Sequence, residues 1–414
     1  MAMKKILFIY LAVMLAVGLM LVSCGERDNP AAFPDINERG GDAYSGKRSD
    51  GVLTYFRAYE AISDYAGWEF FYYGPNTSFF SKIYTPPNFS FQANKPYPIL
   101  YLLHDFMGDE NYYFNYMVQR LADSLIYEGE IKEFYIVTVD ASTPYGGSWY
   151  TNNDFFGHFE DMVAQELISH VEEDVPQLNV LSKRSSRAIG GFGMGGYGAL
   201  KIISKYPDQY SSVSTSNCAG MFEGDGSSMR GMQDLVSKVL EEQELTTPVS
   251  NFNEAFDTTF GWRNNMPYTC LFFSMAQAFS PHPTDTNHAR YADSTSYLPF
   301  FGFDLPFDYN GNMYAEVWDS LWLKNDLDNI LPDASGHFDS IAVYMEYSDT
   351  EQFYFNEQAQ AVMALMDNLG IEYSSATYSG YDGYPASNKH FIYDRLIHIL
   401  KFHSEQLSEQ LEDN

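Results

Sequence analysis

The sequence predicts an α/β fold in which a mostly parallel sheet is flanked by helices. Three observations carry this expectation. The runs Ile99–Leu103 and Phe134–Val139 are almost wholly apolar, as strands buried on both faces must be. A short buried strand at Ala188-Ile189 leads through a glycine cluster into a segment whose Ala199, Leu200, Ile202 and Ile203 fall at helical spacing. Strand and helix patterns then alternate to the C-terminal end, which is the order of an open sheet covered by helices.

Each element follows from its local pattern. A helix is expected from His158 through Val171, with Met162, Leu167 and Val171 on its apolar side. A strand at Ile341–Met345 precedes a helix from Asn356 to Leu369, and Ile371–Tyr378 reads as the last strand. Between Met221 and Asp339 the chain is irregular and aromatic, with Trp262, Trp318 and Trp322, and reads as a cap insertion of about 221–339.

The glycine cluster is the most informative feature. Residues 191–196 read Gly191-Phe192-Gly193-Met194-Gly195-Gly196, the frame of a G-x-S-x-G nucleophile elbow with glycine in the serine's place. Strand, turn and helix occur in the order that the elbow needs. A phosphate loop is the natural competitor, but the Lys-[Ser/Thr] that ends such a loop is absent. Glycine has no side chain with which to attack a carbonyl, so the acyl-enzyme route is closed at this position.

Several ordered motifs together resemble the putative-esterase branch of the α/β hydrolases, which includes feruloyl esterases, S-formylglutathione hydrolases and mycolyltransferases. They are Tyr97-Pro98-Ile99-Leu100-Tyr101-Leu102-Leu103-His104, Ser148-Trp149-Tyr150, Glu166-Leu167, the elbow itself, and His390-Phe391 before a terminal helix. The resemblance runs from about Ser81 to Phe402 and is weak between Gly220 and Asp339. It implies the α/β-hydrolase fold and, in an intact member, carboxylic-ester hydrolysis or acyl transfer without a cofactor or metal. By family order Gly193 then occupies the nucleophile position, His390 the histidine position, and Asp349 the acid position, with Glu351 as the alternative. The oxyanion hole would be formed by the backbone N–H groups of Met194 and of the loop after His104, at Phe106. That loop departs from the family's His-Gly, because Asp105 brings a carboxylate beside the place where an oxyanion must form. His104 reads as a loop-fixing residue.

Other chemistry has less support. Ser214 and Ser216 follow the elbow helix but stand off the elbow, so a structural role is favoured for both. His282, Asp285 and His288 have no helical or hairpin frame to hold a metal, and none is expected. With the serine missing and Asp105 present, the sequence reads as a pseudoenzyme that binds a small-molecule ester or a glycan ligand. The retained histidine and acid positions keep an active hydrolase or acyltransferase as the alternative.

The N-terminal residues speak to location. Lys4 and Lys5 precede the apolar run Ile6–Val22, and Leu21-Val22-Ser23-Cys24 resembles a bacterial lipobox. The expectation is a signal peptide at 1–23, a lipidated Cys24, a polar tether at 24–50 and a domain at 51–414. The acyl chains would anchor the protein to the bacterial cell envelope without a spanning helix, and Gly25 favours the outer membrane. The net charge of −31 opposes binding to nucleic acid. Cys218 and Cys270 are too few for a disulfide framework.

Overall fold

The computed structural model describes residues 44–47, 53–60 and 66–73 and, with short gaps, 78–242, 266–281, 303–379 and 388–409. The leader, Cys24, Trp262 and the His282, Asp285, His288 group lie outside the described residues. A compact unit begins at Tyr44. Tyr44–Lys47, assigned to the tether from composition, instead forms a strand paired antiparallel with Leu53–Glu60. Backbone hydrogen bonding across that pair is a constraint that composition does not reveal.

One ten-stranded sheet organises the unit. Its strands are β1 (Tyr44–Lys47), β2 (Leu53–Glu60), β3 (Ala66–Tyr73), β4 (Ser78–Tyr84), β5 (Ile99–Leu103) and β6 (Tyr135–Val139). After a two-stranded ribbon of β7 (Asn152–Asn153) and β8 (Gly157–His158) come β9 (Arg187–Phe192), β10 (Ser212–Ser216), β11 (Ala342–Ser348) and β12 (Ser374–Tyr378). The spatial order is β1-β2-β3-β4-β6-β5-β9-β10-β11-β12. Pairs from β1 to β6 across β4 are antiparallel, and every pair from β6 to β12 is parallel. The chain leaves β5 toward β6 on one side and returns as β9 on the other. A sheet whose order reverses in this way opens a crevice at the carboxyl ends of the two strands, where ligands bind in α/β folds.

The alternation of side chains builds a layer on each face. From β5, Ile99, Tyr101 and Leu103 enter one core with Leu167, Leu200 and Ile203. Leu100 and Leu102 enter the other with Leu121, Leu396 and Ile399. The first layer includes the elbow helix (Met194–Lys205) and a helical run over 159–174 that alternates α and π turns. The second includes the helices Val118–Tyr127 and Asn388–Gln406.

The insertion is more regular than its sequence suggests. It holds the helices Val236–Glu242, Pro267–Phe279 and Leu327–Ala334. Its tryptophans pack inward. The Trp322 ring stacks on Phe272 at 5.8 Å, and its Nε1 donates to Ser280 Oγ at 3.0 Å. Trp318 lies 5.5 Å from Trp322 and is equally buried. The aromatic richness of the insertion therefore belongs largely to core packing, which rewards large flat side chains with both area and edge-to-face contacts. Cys218 and Cys270 are both buried and form no disulfide.

Candidate active site

The register of two strands builds the centre. β5 and β9 pair in parallel with Leu103 opposite Gly191, so the loop after β5 and the turn after β9 emerge side by side. The approach is close enough to demand glycine. A Cβ at Gly191 would stand 2.7 Å from the Leu103 carbonyl oxygen, and one at Gly195 would stand 2.6 Å from the Leu103 carbonyl carbon. Both neighbours are backbone and cannot yield, so these two positions admit no larger residue without moving the strand.

Gly193 makes the turn itself. Its φ of 50° and ψ of −112° lie where side chains are disfavoured, and the helix begins at the next residue. Its N–H donates to the Ser216 carbonyl at 2.9 Å, and its carbonyl accepts from Tyr197 N–H at 3.0 Å and from Ala219 N–H at 3.2 Å. The sharp turn therefore keeps its shape and its supports although no nucleophile is present.

Asp105 fills the space beside it. Its Oδ1 accepts from Phe106 N–H at 2.7 Å and from Met194 N–H at 3.0 Å. These are the two donors expected to form the oxyanion hole, and one carboxylate oxygen engages both. The Met194 amide opens a twelve-residue helix, where a negative charge is favoured by the unpaired N–H groups and the helix dipole. The sequence anticipated a charge next to the hole. The structure brings that charge onto both N–H groups.

A rigid frame holds the Asp105 loop. His104 is fully buried and bridges two segments: Nδ1 lies 2.8 Å from the Asp105 carbonyl, and Nε2 accepts from Ala141 N–H at 2.9 Å. Burial lowers its pKa, and a neutral ring with the proton on Nδ1 satisfies both contacts. The Tyr150 hydroxyl donates to the His104 carbonyl at 3.0 Å, and Trp149 Nε1 donates to Ser274 Oγ at 2.9 Å. Trp149 and Tyr150 both have positive φ, at 53° and 45°, so the Ser148-Trp149-Tyr150 segment carries backbone strain next to the centre. Phe106 packs edge-on against Phe353 at 5.6 Å.

Asp349 and Glu351, the two candidates for the acid position, sit in different surroundings. Asp349, the first choice, is exposed, and its side chain accepts only a long bond of 3.4 Å from Thr350 Oγ1 among the described contacts. Glu351 turns inward and its Oε2 accepts from Phe353 N–H at 2.7 Å and Phe355 N–H at 3.1 Å. Burial pushes its pKa up to about 7, and the charge of Asp105 pushes the same way. Asp349 thus faces water because it sits just past the end of β11, while Glu351 folds back onto the start of the following helix. His390 lies in the first turn of the last helix, and its side chain is outside the described residues.

Other polar groups are structural. Ser214 Oγ lies 2.8 Å from His403 Nε2, and Ser212 Oγ lies 2.9 Å from its Nδ1, all beneath the sheet and fully buried. Burial lowers the His403 pKa to about 3. Ser216 Oγ is 3.4 Å from the Tyr378 hydroxyl. The buried Lys201 on the elbow helix donates to Thr151 Oγ1 at 2.6 Å and pairs with Glu160 at 3.3 Å. A structural role was the expectation for Ser214 and Ser216, but none of these partners was foreseen, because each contact joins residues far apart in sequence. A lysine between Leu200 and Ile202 was the one local signal.

Two predictions follow from this geometry. Gly193→Ser places a Cβ that would overlap Asp105 Oδ1 and stand 2.6 Å from its Cγ, at a φ that already disfavours side chains. The variant is expected to lose about 1–3 kcal/mol of stability. Asp105→Ala in the same chain recovers part of that loss, so thermal midpoints of the four proteins in the cycle are non-additive. Additive effects would mean that the two positions do not meet. The second prediction concerns Glu351. A carboxyl whose folded pKa is raised contributes stability at low pH that is lost as pH rises through that pKa. Between pH 4.5 and 7, Glu351→Gln, whose amide oxygen still accepts both N–H bonds, should therefore gain in urea midpoint relative to the unaltered protein. A constant difference across that range would contradict it.

Comparison with known proteins agrees with this layout. A stretch of 131 residues is 30% identical to Endo-1,4-beta-xylanase Y of Acetivibrio thermocellus, covering 30% of this chain and 12% of that protein. Another of 153 residues is 27% identical to an esterase of Mycobacterium tuberculosis, covering 36% of this chain and 31% of that one. The chain thus spans less than a third of the length of either relative. A solved serine hydrolase of Staphylococcus aureus is similar over 82% of this chain and 98% of its own, with 12% identity and a TM-score of 0.49. The model of the esterase family, described as "Putative esterase", matches residues 75–244, the segment that contains Asp105, Phe106, Gly193 and Met194.

Proposed function

We propose that this protein is an esterase-like lipoprotein whose chemical centre is disarmed, and that it binds a small ester-bearing or carbohydrate ligand without cleaving it. One observation carries the reading: Gly193 supplies no nucleophile, and Asp105 Oδ1 takes both N–H groups that would stabilise a tetrahedral oxyanion. Acyl transfer by this fold needs attack on a carbonyl and a site for the negative oxygen that results. Here the first is absent and the second is occupied by a fixed negative charge.

Loss of one oxyanion donor alone lowers turnover by about 10²–10³ in serine proteases, and here both donors are engaged. His390 and the inward Glu351 then have no serine to activate. Near Phe106, the half-buried Tyr268 packs edge-on against Phe353 at 5.6 Å, and aromatic faces of this kind suit a sugar or a phenolic acyl group. Lys4, Lys5, the apolar run and Cys24 support delivery to the bacterial envelope through a lipid anchor, with the outer membrane favoured.

The test of activity is hydrolysis of a generic aryl ester by the purified protein, Gly193→Ser, and Gly193→Ser with Asp105→Gly. The unaltered protein is expected to be silent, as is the single variant, in which the new side chain and the Asp105 carboxylate compete for one volume. Turnover by the unaltered protein that His390→Ala abolishes would mean that a displaced nucleophile is at work, and the disarmed reading would fail. The test of location is mass analysis of the mature N-terminus from cells. An acylated Cys24 at residue one is expected, and an intact Met1 would overturn it.

A further inference from the structure

Ester hydrolysis adds water across an acyl carbon–oxygen bond and leaves an alcohol and a carboxylic acid. In a serine-esterase site the acid product rests with one carboxylate oxygen on the oxyanion donors. The Asp105 side chain reproduces that placement from within the chain: one carboxylate oxygen, two N–H donors from two separate loops, at 2.7 and 3.0 Å. Bonds of this kind, with a charged acceptor, are about twice as strong as neutral ones.

The absent side chain at 193 belongs to the same device. The three nearest atoms to a Cβ at Gly193 are Oδ1, Cγ and Oδ2 of Asp105, with Cγ at 2.6 Å. A nucleophile at 193 and a carboxylate at 105 would occupy one volume. The two departures from the esterase pattern are therefore one structural event, in which each residue makes room for the other.

We propose that Asp105 is an intramolecular occupant of the oxyanion hole, a tethered stand-in for the carboxylate product, and that withdrawing it exposes a site for small monocarboxylates. The two N–H donors are thus closed to a ligand's carbonyl or carboxylate oxygen by the chain's own side chain, not by collapse of the hole. This rests on the reading of the centre as disarmed and adds to it a state of the site: intact, preorganised and filled.

Acetate is the probe, added to the full-length protein at constant ionic strength with chloride as control. The thermal midpoint of Asp105→Ala is expected to rise by about 2 °C or more at saturating acetate. The unaltered protein and Asp105→Asn, whose amide oxygen keeps both bonds, are expected not to respond. A folded Asp105→Ala that ignores acetate overturns the proposal, as does an equal rise in the unaltered protein. Should Asp105→Ala fail to fold, Asp105→Ser is the second opened form and is judged by the same rule. If neither folds, amide hydrogen exchange in the unaltered protein decides. Protection at Phe106 and Met194 supports the occupied hole, and exchange as fast as in an open loop overturns it. Aryl-ester turnover by the unaltered protein is measured separately. It would refute the disarmed reading, whereas a missing acetate response refutes only the occupied hole.

Discussion

The bond pair from Phe106 and Met194 to Asp105 Oδ1 ties the loop after β5 to the turn after β9, and the centre of this protein is organised around it. Both donors are groups that the fold leaves unpaired. One is a first-turn amide of a helix, and the other lies in a loop whose remaining bonds are spent elsewhere. A buried N–H without a partner costs roughly as much as a lost hydrogen bond, about 1–3 kcal/mol. In a working esterase the substrate meets that need only transiently. Here the chain meets it permanently.

The same contact explains why the surrounding glycines survive without a nucleophile between them. Gly191 and Gly195 are required by the approach of the Leu103 carbonyl, which is a packing constraint independent of chemistry. Gly193 is required by its own backbone angles and by the carboxylate that lies against its Cα. The elbow is thus retained as architecture. Relief of strain at a former nucleophile and a satisfied anion site both favour stability, in keeping with the frequent trade between stability and activity.

Electrostatics around the centre reinforce its closed character. The negative charge of Asp105 helps to hold the hydroxyls of Tyr112, Tyr113 and Tyr150 in the neutral form, with burial as the larger cause in each. It acts on Glu351 in the same direction. A second carboxylate beside the first is disfavoured in its charged form, which adds to the effect of burial on Glu351. The frame beneath is neutral and rigid: His104 and His403 are both buried, each with both ring nitrogens engaged.

Much of this was legible in the sequence, for identifiable reasons. Continuous apolar runs at 99–103 and 134–139 can only be strands buried on both faces, and the glycine turn between strand and helix is a local feature with a local cause. The family resemblance pointed to Gly193, Met194 and Phe106 as site positions, and the charge at Asp105 is visible beside them in the sequence. What the sequence could not supply was anything that depends on which strands are neighbours. The adjacency of β5 and β9 decides that Asp105 reaches Met194 and that position 193 has no room for a side chain. The path of the chain after β11 exposes Asp349 and turns Glu351 inward, although both stand within two residues of Thr350. Packing of the insertion buries Trp318 and Trp322 in the core, which an irregular aromatic segment does not announce. Sequence thus determined the fold class, the glycine turn at 191–196 and the family likeness, because these rest on residues close together in the chain. The occupied hole was decided by tertiary structure alone, because it needs two loops eighty-nine residues apart to meet within a hydrogen bond's length.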